Sequence, residues 1–175
     1  MFEAGNILED YLLKVYNEVE EIEVLGTQLP TYFYGDGFTV HGRLDILAQH
    51  QNSAIICHEV KSTQNVPYRA PWPDHIEQLQ FYLGALGLRW GQIDYLDRRA
   101  LVMGKYKIDT SYDVTFDRAL FGNLVQRAQE FSQTIADSIV PPPNREAYGG
   151  KGCDNCGHRA HCDSVGELNG LYGEG

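Results

Sequence analysis

Positive charge is scarce in this chain: 14 Lys+Arg stand against 24 Asp+Glu, a formal net charge of -10 over 175 residues. Nucleic-acid binders usually carry a basic surplus, so the balance taken alone argues against that class. Long apolar runs are also missing. None approaches the roughly 18 residues that cross a bilayer, which predicts no membrane partner. The opening residues, MFEAGNILEDY, lack the basic and apolar stretches of a secretory signal. The expected setting is therefore cytoplasmic, where thiols stay reduced. Cysteine is sparse, with four in all, and three of them fall within ten residues near the C-terminus. Such crowding excludes a distributed disulfide framework and points to a bound metal. What is present in ordinary amounts, 43% apolar and 22% charged residues, excludes global disorder.

The acidity is mostly local. Residues 1–36 hold eight acids (Glu3, Glu9, Asp10, Glu18, Glu20, Glu21, Glu23 and Asp36) and one base, Lys14. The Glu18–Glu23 cluster reads as a solvated helix end.

Hydrophobic spacing predicts an amphipathic helix over residues 6–22, with Leu8, Leu12, Val15, Val19 and Ile22 on one face. Asn6 and Glu9 have the spacing of a capping box at its start. From about residue 22 to 62 the pattern becomes that of strands. Thr31-Tyr32-Phe33-Tyr34 is aromatic and β-prone, Asp36-Gly37 signals a hairpin, and runs over 38–49 and 54–62 flank a polar turn at 50–53. An antiparallel three-stranded meander is expected. A second helix is expected from Asp74, capped by Glu77, to about Gly87. Strands are predicted over 99–103 and from 106 to about 114. A third helix is predicted over about 116–139, with Leu120, Leu124, Phe131 and Ile135 on its buried stripe. Pro141-Pro142-Pro143 ends it. The expected class is α/β (α+β): residues 1–140 form a core with a central mixed sheet flanked by helices. Residues 141–175 form a small cysteine-rich, metal-binding tail packed on that core.

Asp45 lies in Gly-Arg-Leu-Asp-Ile on the second strand. Glu59 and Lys61 lie in His-Glu-Val-Lys on the third. Strand residues two apart share a face, and a tight turn at 50–53 brings Asp45 beside Glu59. Two carboxylates and a lysine then converge. Carboxylate oxygens suit Mg²⁺ or Mn²⁺. A lysine beside them can serve the attacking water or the charge that builds on a phosphate. The same charges could equally be cross-strand ion pairs on a wet sheet face.

Gly-Arg-Leu-Asp-Ile followed by Glu-Val-Lys-Ser resembles the core of the PD-(D/E)XK nucleases, whose fold is restriction-endonuclease-like. It is similar in particular to their RecB-like branch, which includes the CRISPR-associated Cas-four exonucleases and related phage enzymes. His75-Ile-Glu-Gln78-Leu-Gln-Phe-Tyr82 resembles that branch's helical motif, a Gln and a Tyr four residues apart on one helix face. The resemblance assigns Asp45, Glu59, Lys61, Gln78 and Tyr82 to the catalytic machinery. It also implies a metal ligand on the first helix, four residues after a Gly. Glu9 stands there in place of the family's His, where its carboxylate could ligate the metal or cap the helix with Asn6.

Cys153-x2-Cys156-x5-Cys162 matches the spacing of the branch's three C-terminal iron–sulfur ligands. Soft thiolates in a short loop also close a tetrahedral zinc site. No cysteine precedes the first helix, where the family's fourth ligand lies, so His158 or His161 is the expected fourth donor. Resemblance favours a [4Fe–4S] cluster and the ligand inventory favours Zn²⁺. Cys57 is expected to be a small core or cleft residue. His41, His50 and His58 are expected to be ordinary polar side chains.

For DNA, Arg43, Arg69 and Trp72 are the expected contacts. The Pro-Tyr-Arg-Ala-Pro-Trp loop (67–72) joins aromatics to an arginine and could stack single-stranded bases, or its aromatics could pack on the helix below. The function implied by the resemblance is metal-dependent hydrolysis of DNA, as an exonuclease on single strands or ends. Its setting would be CRISPR adaptation, phage recombination or repair, with a protein of such a system as a possible partner. The alternative is a DNA-binding or assembly subunit of a larger complex in which cleavage is secondary.

Overall fold

Val, Ile, Thr and aromatic residues recur through residues 22–63, and in a computed structural model this stretch forms three antiparallel strands. The structure describes residues 13, 14, 16, 21–51, 54–63, 70–97, 108–138, 156, 157, 159, 160 and 164. Strands β1 (Ile22–Gly35) and β2 (Phe38–His50) make a hairpin closed at Asp36-Gly37, where Gly37 adopts φ 77°. Strand β3 (Ile55–Thr63) pairs with β2 from Gln49↔Ile55 to Ile46↔His58. Helix α1 (Pro73–Leu86) then crosses over to β4 (Trp90–Asp97), which runs parallel to β3. A parallel neighbour requires such a crossover. Strand β5 (Ile108–Thr115) returns antiparallel to β4, and helix α2 (Arg118–Ala136) follows. The sheet is mixed, in the order β1-β2-β3-β4-β5. This is the expected α/β architecture.

Strand β4 differs from the expectation. The predicted strand over 99–103 lies outside the described residues, and Trp90–Asp97 forms a strand that the sequence pattern did not announce. Gly91 and two aspartates disguise it. Central parallel strands are covered on both faces and lose the alternation that marks a half-buried strand. Gly91, Ile93, Asp94, Tyr95 and Leu96 are all buried. A Cβ at Gly91 would lie 2.9 Å from Leu79 Cδ1 and 3.1 Å from the Cys57 carbonyl oxygen, so glycine lets α1 settle onto the strand.

Helix α1 begins differently from the expected capping box. Trp72, in extended conformation, precedes Pro73 and makes no side-chain cap. Pro73 starts the helix because its fixed φ suits the first turn. Asp74 therefore sits inside that turn, where it complements the helix dipole, and Glu77 pairs with Arg127 at 2.9 Å. The helix stops at Gly87 (φ 66°), with Leu88 N–H donating to Leu83 O at 2.9 Å. In α2, Asp117 is the N-cap: its Oδ1 accepts from Ala119 N–H and Leu120 N–H at 2.8 and 3.1 Å. Two members of the predicted buried stripe are exposed instead, Phe131 at 55% and Ile135 at 61%. A helical repeat of apolar residues marks a face, but whether anything covers it depends on tertiary packing. Leu120 and Leu124 are half-buried.

The chain forms two compact units, Met1–Ala128 and Gln129–Gly175. In the first, Leu44, Cys57, Leu79, Tyr82, Leu83, Ile93 and Tyr95 form the core under α1. Each fully buried Leu or Ile contributes about 1.5–3 kcal/mol. A second cluster joins Tyr16, Ile46, Ala48 and Leu96. Leu13, Lys14 and Tyr16 are helical; the rest of the predicted first helix, through residue 20, lies outside the described residues, and Ile22 already belongs to β1. Among the described residues no helix is long and apolar enough to cross a membrane.

Beside the second cluster lies a buried polar network that was not foreseen. Asp94 Oδ2 accepts from Tyr16 OH at 2.8 Å and lies 2.9 Å from His58 Nδ1. Ser111 Oγ donates to Asp94 Oδ1. An ionised carboxylate only accepts, so His58 carries its proton on Nδ1. On the other side of the ring, His58 Nε2 lies 3.4 Å from His50 Nε2. Burial, then the Asp94 charge, pushes the Tyr16 phenol far above its ordinary range.

Candidate active site

The register of β2 and β3 sets the site. The pairs Leu47↔Cys57 and Ile46↔His58, continued by one step, place Asp45 opposite Glu59. There the side chain of Asp45 takes over from the backbone ladder. Val60 N–H donates to Asp45 Oδ2 at 2.8 Å. Glu59 is buried, at 1% exposure, and its Oε1 lies 2.7 Å from Lys61 Nζ. Alternation along β3 aims Glu59 and Lys61 to one side and His58 to the other, into the Asp94 network.

Helix α1 closes that side. Gln78 and Tyr82, one turn apart, face the strand residues. Lys61 Nζ donates to Gln78 Oε1 at 2.7 Å, and Gln78 Nε2 to Tyr82 OH at 3.3 Å. Tyr82 OH in turn donates to the Arg43 carbonyl oxygen at 3.0 Å. A continuous chain thus runs from Glu59 through Lys61, Gln78 and Tyr82 back to β2. Gly42 makes room for it, because a Cβ there would approach Tyr82 Cε1 to 2.7 Å.

Strand β1 adds a residue that the sequence did not single out. The β1–β2 register shifts by one residue between Val24 and Gly26, after which Thr27 pairs with Ile46 and Leu29 with Leu44. Gln28 therefore stands opposite Asp45. Its Nε2 donates to Asp45 Oδ1 at 3.4 Å. Its Oε1 is buried and accepts no hydrogen bond among the described residues. Its backbone has φ 49°, a left-handed conformation that costs a non-glycine residue about 1–3 kcal/mol.

Desolvation by burial dominates the electrostatics of Asp45 and raises its carboxyl above the ordinary aspartate range. The Val60 N–H, the Lys61 charge, Gln28 and Arg43 oppose the shift. Burial also lifts the Tyr82 phenol, and it lifts the Cys57 thiol well above its usual value. Cys57 is a buried core residue under α1, as expected. Beside the site, Tyr95 OH accepts from Trp72 N–H at 3.3 Å and meets His75 Nδ1 at 2.6 Å. Burial, then the nearby Lys61 charge, lowers the His75 pKa.

A family model described as the PD-(D/E)XK nuclease superfamily matches residues 4–163. The chain belongs to the PD-(D/E)XK nuclease superfamily. Membership supports a metal-dependent nuclease in general, and nucleases of this family act on DNA, generally with Mg²⁺ or Mn²⁺. A crystal structure of the protein SSO0001 is similar in fold, with a TM-score of 0.58 and 21% identity over 90% of this chain and 67% of that one. No curated protein matches the chain.

The donor set of this PD-(D/E)XK chain fits a hard divalent cation. Asp45 and Glu59 offer carboxylate oxygens, and Gln28, which donates to Asp45 through Nε2, carries a buried amide oxygen that accepts nothing among the described residues. No group of three or more His, Cys, Asp or Glu side chains is gathered as a metal site among the described residues, so the two carboxylates are the acidic donors on hand. Glu9, Arg69, Cys153, Cys162, His158 and His161 lie outside the described residues. Cys156 is described and exposed. Arg43 is exposed, with its carbonyl committed to Tyr82. Trp72 is 47% exposed and stacks on His75 with centroids 5.4 Å apart, so its ring lies against the first turn of α1.

Proposed function

We propose that this PD-(D/E)XK protein is a Mg²⁺- or Mn²⁺-dependent deoxyribonuclease of the RecB-like branch, acting as an exonuclease on single-stranded DNA or DNA ends. The observation that carries the reading is the junction of Glu59, Lys61 and Gln78, with both contacts of Lys61 Nζ at 2.7 Å. Asp45 and Glu59 would hold the cation. When bound, it supplies a polarised phosphate and a more acidic water. Lys61 carries three N–H donors, two of them directed to Glu59 and Gln78. The third is then available to a phosphate oxygen or to the attacking water. Gln78 keeps the ammonium from wandering, and Tyr82 anchors Gln78 to β2. Glu9 on the first helix would complete the metal shell. Exposed Arg43 and Trp72, with Arg69, would contact the DNA strand.

In the tail over residues 141–175, Cys153, Cys156 and Cys162 with His158 or His161 would hold Zn²⁺ or a [4Fe–4S] cluster as a structural staple. CRISPR adaptation or recombination is the biological setting in keeping with the branch.

The test is digestion of end-labelled single-stranded DNA with Mn²⁺. Wild-type protein is expected to release nucleotides, and Lys61→Ala to lose at least about 10²-fold of that rate. Absence of cleavage with any divalent metal would favour the assembly-subunit alternative. Metal analysis of the same sample reads the tail: one zinc in a colourless protein, or iron with absorption near ~400 nm.

A further inference from the structure

The structure points to Gln28 as a further member of the divalent-cation site. We propose that its Nε2–H orients Asp45 Oδ1 while its carboxamide oxygen accepts a hydrogen bond from water carried by the cation. This deepens the nuclease reading above and rests on it.

Three observations carry the inference. The first is placement. A one-residue shift in the β1–β2 register puts Gln28, rather than Thr27, opposite Asp45. Bulges of this kind re-aim side chains near active sites. The second is orientation. Asp45 is held from both sides, by Val60 N–H on Oδ2 and by Gln28 Nε2 on Oδ1. The amide cannot be turned round without setting its oxygen against a carboxylate, so Oε1 must point away from Asp45. That oxygen is buried and accepts nothing among the described residues. A buried acceptor without a donor is costly, and a hydrated cation beside Asp45 would supply one. The third is conformation. Gln28 has φ 49°, where glycine would sit without strain. A long amide held at such a position carries local backbone strain of the kind that clusters at functional sites. Divalent cations of this kind take six oxygens and keep several waters. Two acidic side chains leave most of those positions to water and to neutral oxygen donors.

The experiment uses the full chain stripped of metal, with Mn²⁺ alone as the probe, read by calorimetry alongside the melting temperature of the metal-free protein. Gln28→Leu keeps the bulk but removes both polar ends, and is expected to weaken Mn²⁺ binding about 10-fold or more. Gln28→Gly relieves the left-handed backbone. It is expected to melt at or above the wild-type temperature while losing as much Mn²⁺ affinity, a split that a structural role would not produce. Asp45→Asn is measured beside them. If it loses Mn²⁺ while Gln28→Leu and Gln28→Gly stay within twofold of wild type, the inference is overturned and the nuclease reading stands. If Asp45→Asn binds Mn²⁺ like wild type, the metal reading of the site fails and the inference fails with it.

Discussion

Lys61 donates to the carboxamide oxygen of Gln78 across 2.7 Å, tying β3 to the helix that follows it. The same ammonium lies 2.7 Å from Glu59 Oε1. Its position is thus fixed by two acceptors on different elements, which a lysine on an open sheet face would lack.

Removing the helix acceptor tests that relationship. Gln78→Ala leaves Lys61 with Glu59 and lets the ammonium swing. Misplacement of a reacting group by about 1 Å can cost 10²-fold in rate, so Mn²⁺-dependent cleavage should fall by about 10–100-fold, mainly in kcat. Gln78→Glu keeps an acceptor for Lys61 and should lose less. Circular dichroism should report unchanged folding in both variants.

Asp45 predicts a pH effect on stability. Burial raises its carboxyl above the ordinary value of 3.8, so the folded state binds that proton more tightly than the unfolded state. Its contribution to stability is therefore greatest near or below the unfolded value, and it falls as pH rises through the raised one. Metal-free Asp45→Asn, which has no charge to bury, should lose that slope and melt at or above the wild-type temperature at pH 7. Melting curves at pH 4–8 with and without EDTA check this. A wild-type protein whose stability rises across that window through Asp45 would contradict it.

Gly42 offers a test by crowding. A methyl there would press to 2.7 Å on Tyr82 Cε1. Gly42→Ala should shift the ring, strain the Tyr82–Arg43 hydrogen bond and disturb Gln78 behind it. The expected cost is about 1–3 kcal/mol in urea unfolding, the usual scale for overpacking. Activity should fall as well, whereas Gly37→Asn in the exposed hairpin turn should leave activity unchanged.

The Asp94 network should carry stability rather than chemistry. Tyr16→Phe deletes one donor to a buried carboxylate and should cost about 1.5–3 kcal/mol. Asp94→Asn, which weakens the acceptor of Tyr16 and His58 and adds an unmatched donor, should cost about 1–3 kcal/mol. Both are read by urea unfolding, and the cleavage rate of the folded fraction should stay near wild type.

Much of the site was legible because its spacing is short. Asp45, Glu59 and Lys61 lie on two strands joined by a brief turn, so alternation alone predicts their convergence. Gln78 and Tyr82 are one helical turn apart, and the turn length is a property of the backbone. The capping box at Asp74 failed for a local reason: Pro73 already starts the helix. β4 escaped because burial on both faces erases the alternation by which strands are recognised.

Gln28 and the His58–Asp94 pair were not legible at all. A single extra residue in β1 decides whether Gln28 or Thr27 meets Asp45, and no sequence pattern announces that shift. His58, Asp94 and Tyr16 come from three elements, with 36 and 42 residues separating His58 from its partners. The sequence by itself determined which residues lie two or four apart, and so which share a strand face or a helix turn. Only the tertiary structure decided what faces them. Register, bulges and the docking of α1 are set by the packing of all the elements together, which local periodicity does not encode.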